Sequence, residues 1–503
     1  MKKRLTKKQM IIFSVGQFGW SLLGGIISAW LVTFFMPTAT DRAAGATQFI
    51  TGGLIIGGFL TIIGLITALS RIFDAVTDPL IASLSDRSTC KRGRRIPFMQ
   101  IAAVPFATVT VLLFCINFSS VWANVLWVSV MIVLFYLFMT MYCTPYNALI
   151  SEFGQNQEDR MFISTSISFT YLFGTLFAYL PFVLAGGGLA DDGVTPTPKL
   201  FTGLLYKMGM DYQSAYTWSF RICFIILAVI ACVAMLLPAL KLKETEFIDP
   251  KPSNENVFRS LVSTFKNKEF RVFAGSDIMY WVGLTMFQTG LPFFVKVSMG
   301  FDASLVIVFM GGMSVLAAVF YPFVTKFVKK WGKKKLVIAG FLGLAICYAI
   351  TAIASIPGLL PSQGEANGLS WVFGIAIMVL SALPMALLGI IPQSIVADVA
   401  EAEAKTTGQN REGMFFAART FAMKFGQSLA MILFTSIALI GGVELDNEIY
   451  PAKTGMLIAA IVAVAFCVLG AVILMFYKEK KVMKVIAKEE DAAFLKAIEN
   501  EKE

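Results

Sequence analysis

The sequence predicts an all-α membrane protein: twelve transmembrane helices arranged as two pseudo-symmetric six-helix bundles. Three observations carry this. Of 503 residues, 57% are apolar and only 15% charged, whereas a soluble protein keeps roughly a quarter of its residues charged. Apolar runs long enough to cross a hydrocarbon layer of ~30 Å recur along the whole chain. Short motifs of the first half return at equivalent places in the second, as expected of a repeated architecture.

The runs place spanning helices near 10–36, 57–84, 96–118, 121–150, 162–186 and 215–240. A second six follow near 272–296, 303–328, 336–356, 371–397, 414–441 and 454–477. The Gly-rich stretch 48–60 reads either as an extension of the second helix or as a re-entrant piece. The first run has no small-residue cleavage pattern, so an uncleaved first helix is expected. Residues 241–271 form the one long polar stretch. The chain therefore divides into an N-terminal bundle (1–240), a linker (241–271), a C-terminal bundle (272–477) and a charged tail (478–503). In the tail, Val482, Val485, Ile486, Ala493, Phe494 and Ile498 recur at helical spacing, so a short amphipathic helix is expected.

The net charge is +10, which could suggest a nucleic-acid partner. Its distribution points elsewhere. Lys and Arg crowd the N-terminus and loops 85–95 and 325–335, and are sparse in the loops between. This positive-inside pattern predicts a cell-membrane protein, plasma or inner, with both termini and the basic loops in the cytoplasm. No nucleic-acid partner is expected. The lack of histidine excludes His-based metal sites and His proton relays. Six of the seven cysteines fall in apolar segments and Cys90 in a basic loop, so no disulfides are expected. No nucleophile is paired with a base, so the chain does not read as an enzyme.

The repeat is visible residue by residue. Lys91-Arg92-Gly93-Arg94-Arg95 follows the second helix, and Lys330-Trp331-Gly332-Lys333-Lys334 the eighth. Gly154-Gln155-Asn156 precedes the fifth helix and Gly408-Gln409-Asn410 the eleventh, each after a helix with a proline, Pro145 or Pro392.

Charges inside hydrocarbon cost ~2.5–3.5 kcal/mol each on insertion scales, so those that persist are paired, cavity-facing or functional. The interior set is Arg71, Asp74, Asp78, Arg221, Asp277, Arg419 and Lys424. Asp74 and Asp78, four apart, share one face of the second helix, flanked by Arg71 and Thr77. Two close carboxylates in low dielectric need a counter-charge, a proton or a bound cation. At 1.5 Å per residue, Asp74, Thr140 and Lys424 all sit ~16–18 Å from the cytoplasmic ends of their helices. Trp20 and Tyr171 reach comparable depth. Carboxylates, a hydroxyl and an ammonium from both halves therefore meet near the midplane, where a two-half transporter holds its solute and ion.

The stretch Arg71-Ile72-Phe73-Asp74-Ala75-Val76-Thr77-Asp78-Pro79, with Asp86-Arg87 and Gly93-Arg94-Arg95-Ile96-Pro97-Phe98, resembles the signature of the glycoside–pentoside–hexuronide:cation symporters. These are melibiose-permease-like members of the major facilitator superfamily. Val396-Ala397-Asp398 and Met423-Lys424-Phe425-Gly426 extend the likeness over essentially the whole chain. The resemblance implies sodium-, lithium- or proton-coupled sugar symport by alternating access. It implies a cation site at Asp74, Asp78 and Thr140, with Thr77 where melibiose permease has an Asn. Lys424 matches the family's eleventh-helix lysine, with Arg71 beside it as a further coupling residue. The sugar-site positions depart: the family's two galactoside-binding aspartates align with Ser21 and Cys143, its fourth-helix Trp with Asn147 and its fifth-helix Arg near Ile167. With Trp20 and Tyr171, Ser21, Cys143 and Asn147 make the expected solute site. Asp86, Arg87, Arg94, Arg95, Asp398 and Arg411 are the expected gating charges, with Glu152 and Glu401 as candidate partners. The expectation is a monomeric carrier in a lipid bilayer, with no cofactor beyond a coupling Na+ or H+, moving a glycoside, oligosaccharide or hexuronide. Two alternatives remain open: a carrier of a larger amphiphile such as a lysolipid, and a non-transporting membrane sensor.

Overall fold

The structure, a computed structural model, describes residues 4–50, 53–56, 60–86, 88, 90, 93–154, 157–189, 195–247, 264–407, 412–445 and 448–486. Twelve long helices dominate the described residues. The N-terminal six are α1 (Lys7–Phe35), α2 (Ile62–Asp86), α3 (Ile96–Phe114), α4 (Val121–Phe153), α5 (Gln157–Phe177) and α6 (Tyr212–Lys241). The C-terminal six are α7 (Lys268–Phe293), α8 (Leu305–Trp331), α9 (Lys333–Ala354), α10 (Gly368–Thr407), α11 (Glu412–Ile437) and α12 (Lys453–Met475). Eleven helices among the described residues are long and apolar enough to cross a membrane. α2 is not among them, because Arg71, Asp74 and Asp78 interrupt its apolar sequence.

Local chemistry sets several helix starts. Thr6 and Gln9 form a reciprocal capping box at α1, the Thr6 N–H donating to Gln9 at 2.9 Å. Asp211 caps α6 and Asn267 caps α7 through their side-chain oxygens. The described residues of the stretch before α2 do not extend that helix. Leu54–Ile56 pairs antiparallel with Leu60–Thr61, and α2 begins only at Ile62. α10 runs on past the apolar segment to Thr407, with Pro384 and Pro392 inside it.

Helix packing repeats with a shift of six. α1 packs on α5 and α6, and α7 on α11 and α12; α3 packs on α4 and α6, and α9 on α10 and α12; α2 packs on α4, and α8 on α10. Between the sets, α2 packs along α11, α5 touches α8, and α1 meets α7.

The repeated basic loops have a shared local role. Gly93 (φ 118°) precedes α3 and Gly332 (φ 81°) precedes α9, both in the region that favours glycine. Each following helix has its first amides capped by a glutamate from just beyond its half's sixth helix. Glu244 accepts from Arg95 N at 2.8 Å and Ile96 N at 3.2 Å. Glu479 accepts from Lys333 N at 2.7 Å and Lys334 N at 3.1 Å. A carboxylate on otherwise unpaired amides at a positive helix end stabilises by ~0.5–2 kcal/mol. Glu479 opens a helical stretch, 479–486, whose Val482 and Ile486 are buried. The start of the expected tail helix is thus docked on the C-terminal bundle; Ala493, Phe494 and Ile498 lie outside the described residues.

Arg221, read as an interior charge, is a structural clamp. It donates to Phe114 O at 3.1 Å and Ile116 O at 2.5 Å at the end of α3. A guanidinium there meets the carbonyls that every helix C-terminus leaves unpaired.

Candidate cation and solute site

The densest cluster of buried charge lies where α2, α4 and α11 meet. Thr140 Oγ1 is 2.7 Å from Asp74 Oδ1 and 3.1 Å from Asp78 Oδ1, so its single proton serves either carboxylate. Lys424 Nζ, arriving from the other half, is 2.8 Å from Asp74 Oδ2 and 2.6 Å from Asp78 Oδ2. It also donates to the Asp74 carbonyl at 3.2 Å. The Asp74 side chain is fully buried and that of Asp78 is 26% exposed. One face of the cluster is therefore sealed and the other open.

This arrangement has a clear electrostatic consequence. Two carboxylates one turn apart cannot both stay charged in low dielectric without compensation, and the ammonium supplies it. A small cation bound to the same oxygens would compete with Lys424 for them. The oxygens of Asp74, Asp78 and Thr140 are hard ligands of the kind an alkali cation takes, and carboxylates equally accept a proton.

Two expected members sit differently. The Thr77 hydroxyl donates to the Asp74 carbonyl of its own helix at 3.1 Å, which turns it back along α2. Arg71 lies over the Tyr136 ring at 4.8 Å and forms no ion pair with Asp74 or Asp78. Its charge is steadied by an aromatic face.

The expected solute residues divide. Trp20 and Tyr171 meet across α1 and α5 with ring centroids 6.1 Å apart. Cys143 and Asn147 follow Thr140 by three and seven residues, on the same face of α4, and Asn147 is exposed. Ser21 does not join them: it is buried, and its hydroxyl donates to Phe18 O at 3.1 Å. The small side chain lets α5 approach at Gly174, so this position packs helices rather than facing the cavity. A feature missed in the sequence is the face Ser164, Ser168, Tyr171 and Thr175 of α5, partly or fully exposed. The 4-3-4 spacing of four hydroxyls was the signal that could have revealed it.

Among the described residues the polar contacts between halves fall at one end of the bundle, apart from the cation cluster and Ser428, which donates to Ala68 O. Asp41, in a short helix after α1, pairs with Lys296 at the end of α7. Lys199 pairs with Asp302 at 3.2 Å, Tyr450 donates to Gln48 at 2.7 Å, and Thr61 donates to Thr435 at 2.9 Å. Lys296 is 2% exposed; its place at a helix end conceals it from a search for charges inside apolar runs. The Lys296 ammonium and the Thr38 hydroxyl and amide hold the Asp41 carboxyl below its usual range, outweighing the burial that would raise it.

At the opposite end the described contacts close within one half. Arg94 is 3.8 Å from Glu244, Asp398 is 2.5 Å from Lys333, Glu401 meets Lys405 at 2.9 Å, and Asn267 donates to Glu403 at 2.7 Å. Arg94 and Asp398, expected to gate between halves, thus have described ion-pair partners within their own halves in this conformation, and of Arg95 only the backbone N–H bond to Glu244 is described. Arg87 and Arg411 lie outside the described residues, as do the side chains of Asp86 and Glu152. The molecule is closed at the end holding Thr38, Asp41, Gln48 and the loop 357–367.

A six-plus-six helical bundle with a charged cluster at the interface of its halves defines a secondary transporter of the major facilitator fold. Solved transporters align over nearly its full length. A D-xylose-proton symporter gives a TM-score of 0.60 at 14% identity, covering 94% of this chain and 98% of that one. An inward-facing bacterial homolog of the human lysosomal transporter Spinster gives 0.61 at 16%, covering 95% and 97%. The chain belongs to the family described as MFS/sugar transport protein, which matches residues 12–480. Among its relatives is an isoprimeverose transporter of Lactiplantibacillus pentosus, 22% identical over 93% of this chain and 88% of that protein. An uncharacterized symporter, YjmB, of Bacillus subtilis is 25% identical over 86% and 83%. A sodium-dependent lysophosphatidylcholine symporter of Xenopus tropicalis is 21% identical over 95% and 88%.

Proposed function

We propose that this protein couples the movement of a sugar to that of a monovalent cation, sodium or a proton, by alternating access in the cell membrane. The observation that carries the reading is the Asp74–Asp78–Thr140–Lys424 cluster, in which one half supplies the carboxylates and the other the ammonium. When a cation neutralises the carboxylates, Lys424 is released and the contact between α2 and α11 changes. Cation occupancy is thereby tied to the arrangement of the halves. The aromatic pair Trp20–Tyr171 and the hydroxyl face of α5 suit a sugar, whose ring stacks on aromatics and whose hydroxyls exchange hydrogen bonds. With the basic loops cytoplasmic, the closed end is extracellular and this conformation faces inward.

The test is uptake into proteoliposomes of a sugar panel under imposed sodium or pH gradients. Accumulation of a sugar above equilibrium with one gradient supports the reading; loss of lysophosphatidylcholine from the outer medium instead, with no sugar uptake, would favour the amphiphile carrier. Melibiose is expected to be a poor solute. Neither Ser21 nor Cys143 supplies a charged acceptor, a loss worth ~1.5–3 kcal/mol per hydrogen bond. Tight melibiose binding in competition assays would contradict this.

Topology is checked separately. A cysteine replacing Lys330, in a Cys90→Ser background, should react with an impermeant thiol reagent only from the cytoplasmic side. Labelling from outside in intact cells would invert the orientation argued from the basic loops.

A further inference from the structure

The Lys424 ammonium places all three of its N–H bonds in the cation cluster, on Asp74 Oδ2, Asp78 Oδ2 and the Asp74 carbonyl. Every one of these acceptors belongs to the N-terminal half. A cation on Asp74 and Asp78 takes two of them away. A buried ammonium keeps its charge only where other acceptors replace those it loses.

Such acceptors stand one turn along the lysine's own helix. Gln427 follows Lys424 by three on α11. Helical side chains lean toward the N-terminus, so the Gln427 amide lies back over the turn that carries Lys424. Its Oε1 is sealed from solvent and has no hydrogen-bond partner among the described residues. Thr285 Oγ1 of α7 is in the same condition, on a residue 6% exposed. Ser428, the next neighbour of Lys424 at helical spacing, already donates to Ala68 O.

The register of α7 on α11 brings the two oxygens to one level. Asp277 pairs with Arg419 at 3.0 Å, and further along Thr289 donates to Met431 Sδ at 3.4 Å. Both contacts join positions 142 apart, so the two parallel helices keep step between them. Thr285 and Gln427 stand at that same offset, one turn before the second contact and on the faces that meet there. Buried oxygens are nearly always hydrogen-bonded, and an unpaired one is costly. Two at one level, beside a lysine whose protons are all in use, are acceptors held for another state of the molecule.

We propose that Gln427 Oε1 and Thr285 Oγ1 are the second lodging of the Lys424 ammonium, taken when a cation occupies Asp74 and Asp78. This rests on the reading of the chain as a cation-coupled carrier. The move carries the ammonium from acceptors of the N-terminal half to acceptors of its own half. Cation binding thereby withdraws a charged link between α2 and α11 while the ammonium stays hydrogen-bonded. Gln427 and Thr285 are positioning residues: they set how much cation the release requires, and touch neither cation nor solute.

The measurement is the half-saturating cation, sodium or proton, read in two ways on the full chain. One is uptake of labelled xylose or isoprimeverose by proteoliposomes, with solute KM determined separately at saturating cation. The other needs no solute: the cation-dependent rise in melting temperature of the purified protein. Gln427→Leu leaves the displaced ammonium without its acceptor. It should raise the half-saturating cation about tenfold or more, as loss of a hydrogen bond to a charged group does, with solute KM within about twofold. For a proton, that is a fall of about one unit or more in the pH of half-maximal response. Gln427→Glu keeps the shape and an acceptor oxygen, and should need no more cation than the parent. Thr285→Val, isosteric but without the hydroxyl, should raise the requirement about threefold. It keeps the proposal testable if Gln427→Leu does not fold. A parental requirement in these two variants would overturn the proposal, as would a requirement raised equally by Gln427→Glu. A raised solute KM with unchanged cation dependence would also overturn it and place the pair on the solute's path. A parent chain whose uptake and melting temperature respond to neither cation would overturn the coupling reading itself, and this proposal with it.

Discussion

Proteoliposomes carrying Asp74→Asn/Asp78→Asn are expected to equilibrate solute but never to concentrate it, whichever cation gradient is imposed. The parent site holds two carboxylates against one ammonium within 2.8 Å. That arrangement is stable only while Lys424 stays in place, so the unloaded carrier is tied to one set of inter-half contacts. Removing both acids removes the group for which cation and ammonium compete, and the transition no longer depends on the gradient. The double variant leaves Lys424 buried and unpaired, a change of ~3–5 kcal/mol in other buried pairs. Asp74→Asn/Asp78→Asn/Lys424→Gln should therefore recover folding without recovering coupling. Lys424→Ala alone leaves two uncompensated carboxylates and should arrest or uncouple the cycle. Concentrative uptake by the double variant at the parental level would make the acid pair structural and end this mechanism.

Lys296→Ala is expected to shift the protein strongly toward the conformation open on the outside. Lys296 and Asp41 are the most deeply buried ion pair joining the halves at the closed end. Loss of one partner from a buried pair costs ~3–5 kcal/mol, which is a population change of about a hundredfold or more. The neighbouring contacts, Lys199–Asp302 and Tyr450–Gln48, are more exposed or uncharged and replace little of it. In a Thr61→Cys background, where Thr61 is buried against Thr435, labelling from outside by an impermeant thiol reagent should rise at least tenfold on adding Lys296→Ala. Unchanged labelling would show that the pair does not hold the gate. The pH dependence has a definite sign. Lys296 and Thr38 lower the Asp41 carboxyl in the closed state. The pairing therefore contributes fully above the ordinary carboxylate range, near pH 4, and is lost as pH falls through the lowered value. The closed end should be insensitive to pH between about 6 and 8.

The helices could be placed from sequence because hydropathy is a property of a window, and the cost of burying a charge flags Asp74, Asp78, Asp277, Arg419 and Lys424 wherever they fall. The spacing of four put both carboxylates on one face, and counting residues put Thr140 and Lys424 at their depth, since helical rise is fixed. The echoed motifs around Gly93 and Gly332 were equally visible, although their capping by Glu244 and Glu479 was not.

Rotation and partnership were decided only by tertiary structure. Ser21 and Trp20 are adjacent, yet one packs against Gly174 of α5 and the other meets the Tyr171 ring. Arg71 is three residues from Asp74 and lies on Tyr136 instead. Asp277 meets Arg419 across 142 positions and Asp41 meets Lys296 across 255. A window of sequence carries depth and amphipathic face. It does not carry the angle at which one helix is turned against another, which comes from side-chain packing summed over whole interfaces.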